Sequence, residues 1–130
     1  HEWATIRGGT FVAAICDHGL RPGSAAEAAS VVRTLRSRAI PAQVIRLVIP
    51  PGPGVQERAR AARLDALLGV CAGHGAPWLL LGHHRADGAE TVLMRALAGS
   101  GGAGLAGILP VRATEAALIL RPFLGIPPER

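Results

Sequence analysis

Four short apolar runs set the limits on what this chain can fold into: TFVAAIC at residues 10–16, QVIRLVI at 43–49, WLLLG at 78–82 and ALILR at 117–121. Each has strand length, and the segments between them carry apolar residues at helical spacing. Ala28, Val31, Val32 and Leu35 form one such stripe after Ser24, ending before Pro41. Leu64, Leu67, Leu68 and Cys71 form a second within residues 55–73, and Ala89, Val92, Leu93, Ala96 and Leu97 a third within 88–98. Strands that alternate with helices become parallel neighbours, because each return crossing uses a helix. The expected class is α/β, a parallel sheet with helices on both faces.

The 130 residues suit one domain, large enough to bury about two thirds of its unfolded surface. Trp3, Phe11, Trp78 and Phe123 are the only aromatic residues, so stacking of bases on an aromatic platform is a poor expectation. All fourteen basic side chains are Arg, against nine Asp plus Glu, for a net charge of +5. Arginine forks match phosphate oxygens, although a bias against lysine also follows from genome composition. Cys16 and Cys71 lack the close spacing of zinc ligands and read as buried thiols. No apolar run nears the roughly 20 residues needed to span a bilayer, so no membrane is expected and a cytoplasmic location is. The chain starts at His1 and stops at GIPPER, and both ends read as cut.

In a parallel sheet, ligands bind beyond the carboxyl ends of the strands. GHHRADGAET at residues 82–91 follows the third run and makes His83, His84, Asp87 and Glu90 candidates. DHGLR at 17–21 follows the first run and adds Asp17, His18 and Arg21 at the same edge. Bland readings stand beside both. Asp87 and Glu90 have the spacing of a helix capping box, as do Ser24 and Glu27, while Asp17 and Arg21 fit a local turn bond and a surface charge. Adjacent histidines in an extended segment point to opposite faces and do not form a zinc pair, whereas Asp87 and Glu90 suit a hard ion such as magnesium. Gly99, Gly101 and Gly104 match GxGxxG but follow a helix instead of opening one, which fits a helix stop with Gly99 as cap.

Four blocks in order resemble the tRNA(Ile)-lysidine synthase family of the PP-loop ATPase superfamily: DHGLRPGSAAEA at 17–28, VQERARAARL at 55–64, GHHRADGAETVLMRALAGSGGAGLAGI at 82–108 and ILRPFLGI at 119–126. The resemblance implies an adenine nucleotide alpha hydrolase-like fold and a two-step reaction. ATP adenylates the C2 oxygen of the wobble cytidine in a tRNA(Ile) with a CAU anticodon, and the amine of free lysine then displaces AMP. By position, Asp87 and Glu90 match the family's acidic pair, implied to hold magnesium or the lysine amine. Arg121 matches the RPL motif and joins these two as an implied catalytic residue. His18, His84 and Arg60 are implied near the nucleotide, and Arg63 and Arg21 near the tRNA.

The chain also departs from the family pattern. Ala86 stands for the first acidic-block Asp, Gly88 for a common Gln and Leu64 for a common Tyr. The family's SGGxDS phosphate loop and the central strand before it have no counterpart in residues 1–130, and Gly8, Gly9 and Thr10 do not replace them. The expectation is a partial PP-loop ATPase domain over 1–130 with its central first strand missing, inactive alone, and completed by an N-terminal segment or a second copy of the chain. A noncatalytic nucleotide or RNA binding module is the alternative, and a PP-loop enzyme with another substrate is a third.

Overall fold

The computed structural model describes residues 2–83, 97 and 108–127. The elements run α1 (Glu2–Ile6), β1 (Ala13–Asp17), α2 (Ser24–Ser37), β2 (Ala42–Arg46), α3 (Val55–His74), β3 (Trp78–Leu80), β4 (Val111–Ala113) and β5 (Leu118–Leu120). The chain forms two compact units, residues 1–70 and 71–130. The expected third helix at 88–98 and the glycine loop at 99–107 lie outside the described residues, apart from Leu97, which is helical and exposed.

In the first unit β1 and β2 pair in parallel, with Ala13 opposite Ala42 and Asp17 opposite Arg46. Helix α2 is the crossover and packs on both strands, burying Ala28 and Val32 from its predicted apolar stripe. Both long helices stop by one device. The amide of Ile40 bonds to the Leu35 carbonyl at 3.0 Å and that of Ala76 to Cys71 at 2.8 Å, while Ala39 and Gly75 take left-handed φ of 56° and 61°. These are six-to-one helix terminations, after which Pro41 and Pro77 prevent continuation. The other edge of β1 pairs with no strand among the described residues, and residues 2–6 form a short helix without a buried side chain instead of filling that edge.

In the second unit the order is β3-β5-β4, with β3 parallel and β4 antiparallel to β5. β4 is an addition to the expected parallel strands. The turn at 114–117 produces it: the Thr114 amide donates to the Ala117 carbonyl at 3.1 Å and the Ala117 amide to Thr114 Oγ1 at 3.0 Å. Ile119 on the central strand is fully buried. The expectation that residues 78–82 form a buried strand holds for pairing at Trp78–Leu80 and for burial at Leu81, with Leu79 half-buried. Trp78 and Leu80, which share one face of β3, are 58% and 65% exposed, and β3 ends the three-stranded order among the described residues.

Candidate functional site

The first unit organises the DHGLR loop around one carboxylate. Asp17 is the last residue of β1 and is buried. Its Oδ1 accepts the Gly19 amide at 3.1 Å and the Ser24 hydroxyl at 2.6 Å, so one side chain ties the strand end to the start of α2. Gly19 at φ 61° turns the chain back within two residues. The Ser24 bond holds the Asp17 carboxyl below its ordinary range, helped by the Gly19 amide and the charge of Arg46, against the opposing effect of burial.

This arrangement replaces the capping box expected at Ser24 and Glu27. The N-cap of α2 is Gly23, with φ 88° and no side-chain cap bond. The Ser24 hydroxyl goes to Asp17, and Glu27 accepts a bond from Arg21 across an exposed ion pair. The buried carboxylate is the stronger attractor for the hydroxyl, since charge-assisted bonds exceed neutral ones. The turn bond expected of Asp17 is present with the added tie to α2. His18, half-buried, accepts the Leu20 amide on Nδ1 at 3.1 Å, which leaves Nε2 to face other partners.

Arg46 lies beside this loop. Arg46 reaches Asp17 Oδ2 with Nε at 3.9 Å while remaining 78% exposed. The sequence-derived candidates omit it, and the signal that finds it is the register of parallel strands, which sets it opposite Asp17. Arg60 and Arg63 are exposed on α3, three residues apart and therefore on one face. The Arg63 charge acts on Cys16, opposing the upward push of burial on that thiol. Arg58 holds the chain itself in shape, because its guanidinium donates to the carbonyls of Pro50 at 2.9 Å, Gly52 at 3.3 Å and Pro53, clamping the PPGPG loop. Cys16 and Cys71 are free thiols, the first half-buried and the second buried.

In the second unit Arg121 follows β5. Its amide donates to the Pro110 carbonyl at 2.9 Å and its guanidinium to the Leu109 carbonyl at 2.7 Å. Burial and the charge of Arg112 lower its pKa. His83 is half-buried. His84, Asp87 and Glu90 lie outside the described residues, as do Ala86 and Gly88. Among the described residues no cluster of three His, Cys, Asp or Glu side chains is placed to hold a metal, and no helix is long and apolar enough to cross a membrane.

Comparison with known proteins gives the blocks a common origin. The tRNA(Ile)-lysidine synthase of Methylobacterium nodulans is 48% identical over 118 residues, covering 90% of this chain and 35% of that protein. The Salinispora tropica synthase is 46% identical over 116 residues, and that of Hyphomonas neptunium 41% over 133, covering 88% and 97% of this chain. The chain thus spans about a third of the length of the curated relatives it matches, 35% in each of these three. The family model of the PP-loop domain matches residues 1–130, and with that match over its whole length the chain belongs to the PP-loop domain family.

Proposed function

We propose that this chain supplies the nucleotide-handling part of an enzyme that joins lysine to the wobble cytidine of tRNA(Ile). The observation that carries the reading is the 48% identity to a tRNA(Ile)-lysidine synthase across 90% of the chain. The geometry of the DHGLR loop supports it. Asp17 takes its close hydrogen bonds from the Gly19 amide and the Ser24 hydroxyl, with Arg46 at 3.9 Å and largely exposed, so His18, Arg46 and Arg63 present donors at the strand edge for an anionic ligand.

In this reading ATP activates the C2 oxygen of the cytidine with release of pyrophosphate, and the lysine amine then displaces AMP. His18 and Arg60, with His84, serve the nucleotide. Arg63 and Arg21 meet tRNA phosphates. Arg121 steadies charge on the phosphoryl oxygens, where a fixed cation acts most strongly. Asp87 and Glu90 orient the lysine amine, and their hard oxygen donors suit magnesium, which would neutralise polyphosphate charge when bound.

The test is a chimera in which this chain replaces the matching segment of the Methylobacterium nodulans synthase. The expected result is pyrophosphate release that requires both ATP and a CAU-anticodon tRNA, with loss of release in the Asp87→Ala chimera. A folded chimera that binds ATP and tRNA without releasing pyrophosphate would instead assign the noncatalytic binding role.

A further inference from the structure

The hairpin of β4 and β5 holds two arginines in an arrangement that its own residues do not satisfy. Arg112 pairs with Ile119 across the antiparallel ladder, and Arg121 lies two residues beyond Ile119 with its amide bonded to Pro110. Residues directly opposite share a sheet face, as do residues i and i+2 along a strand, so Arg112 and Arg121 are diagonal neighbours on one face. Neither has a carboxylate partner among the described residues. Arg121 has one guanidinium nitrogen on the Leu109 carbonyl, but its Nε is buried and meets no acceptor among the described residues. Two like charges set side by side, one with a sequestered donor left over, are an unfavourable arrangement until an anion joins them.

We propose that Arg112 and Arg121 together form a binding site for one phosphate group, with Arg121 Nε and the Arg112 guanidinium as its donors. Arg112 thereby becomes a second positioning cation beside the Arg121 of the proposed function, and the inference rests on that reading. The hairpin explains why the site is built here. The tight turn at 114–117 fixes the register, the full burial of Ile119 anchors the face between the two arginines, and the Leu109 carbonyl orients the Arg121 fork. Arg112, exposed on the edge strand, supplies the mobile half of the pair. A guanidinium presents several donors in one plane and suits a tetrahedral oxyanion carrying oxygens on each side.

The experiment observes the Arg121 Nε–H resonance of the full chain by nuclear magnetic resonance during titration with inorganic phosphate, with ATP and with a CAU-anticodon RNA stem-loop. The expected result is a downfield shift and slowed solvent exchange of that resonance. ATP acting at lower concentration than the stem-loop identifies a nucleotide phosphate; the reverse identifies an RNA backbone phosphate, and either supports the site. Arg112→Ala should weaken the responding ligand by about tenfold or more, the range expected for a charge-assisted contact. Arg121→Lys, which keeps charge but has no Nε, should lose affinity to a similar degree. In the RNA case Arg112→Ala should also lower the slope of log affinity against log salt by about one. An Nε–H signal that none of the three ligands moves, or an Arg112→Ala chain that binds as the parent does, overturns the site. If the chimera makes lysidine while the Arg112→Ala chimera does so with unchanged dependence on ATP and tRNA, the proposed function stands and this inference falls.

Discussion

Truncating two aliphatic side chains on neighbouring strands separates what hydropathy reads from what the fold buries. Ile119 and Leu80 both belong to apolar runs in the same three-stranded sheet, yet Ile119 is 0% exposed and Leu80 65% exposed. Ile119→Ala removes fully buried carbons and leaves a cavity that the central strand cannot close, a loss of about 2–5 kcal/mol. Leu80→Ala removes a side chain about one third covered and leaves no cavity. From about 1.5–3 kcal/mol for full burial, its cost is about 0.5–1 kcal/mol. With a urea slope of about 2 kcal/mol/M, the midpoint falls by about 1–2.5 M for Ile119→Ala and about 0.3–0.5 M for Leu80→Ala. Ile119→Val, with one methyl removed, belongs near 0.5–1.5 kcal/mol, or about 0.3–0.8 M. Far-ultraviolet circular dichroism follows the transition. Trp78 fluorescence in a Trp3→Phe background reports on this sheet, since Trp78 pairs with Leu118 beside Ile119. Equal shifts for Leu80→Ala and Ile119→Ala would mean instead that β3 is buried on both faces.

Asp17 predicts an acid limb in the stability profile. Its carboxyl is lowered from an ordinary value of 3.8, first by the Ser24 hydroxyl and then by the Gly19 amide, so the folded chain binds that proton less tightly than the unfolded one. The resulting stabilisation is complete above about pH 4 and is lost as pH falls through the lowered folded value. In acid titrations followed by circular dichroism, Asp17→Asn should remove this part of the limb and Ser24→Ala should shift it to higher pH; superimposable curves would count against the assignment. Two glycines should respond to alanine with opposite signs in urea melts. Gly23 at φ 88° has open space around a new Cβ, so Gly23→Ala costs only its left-handed backbone, a net loss of about 1 kcal/mol. Gly69 lies inside α3 with equally open space, and Gly69→Ala should stabilise by about 0.5–1 kcal/mol.

What sequence made legible is what depends on neighbours in the chain. The strand runs at residues 10–16, 43–49, 78–82 and 117–121 each overlap an observed strand, and of the Ala28, Val31, Val32 and Leu35 stripe Ala28 and Val32 are buried while Val31 is exposed. Val111–Ala113 was invisible because three residues after a proline are too short a run to mark a strand; its pairing is imposed by the Thr114 turn and by β5. The exposure of Trp78 and Leu80 was equally illegible, since hydropathy records what a side chain prefers and not which face of a strand is covered. In the site, DHGLR identified Asp17, His18 and Arg21 by position after a strand. Arg46 depended on pairing register and Ser24 on competition between a helix cap and a buried carboxylate, both decided by tertiary structure.

The competition at Ser24 also explains the electrostatics of the loop. A guanidinium pressed onto Asp17 would have cancelled its charge and occupied an arginine. Instead Oδ1 is met by two neutral donors, the Gly19 amide and the Ser24 hydroxyl, while Arg46 stays 3.9 Å from Oδ2 and largely in solvent. Neutral donors stabilise a carboxylate without consuming a cation. Arg21 is engaged by Glu27 at the surface, where such pairs hold weakly and exchange readily. Arg60 and Arg63 meet no carboxylate among the described residues. The loop is therefore fixed by its acid, with Arg46 paired to Asp17 only at 3.9 Å and largely exposed, and α3 keeps Arg60 and Arg63 without an acidic partner among the described residues. A polyanion is drawn to such a field before any specific contact forms, and its affinity should fall with added salt in proportion to the arginines it engages.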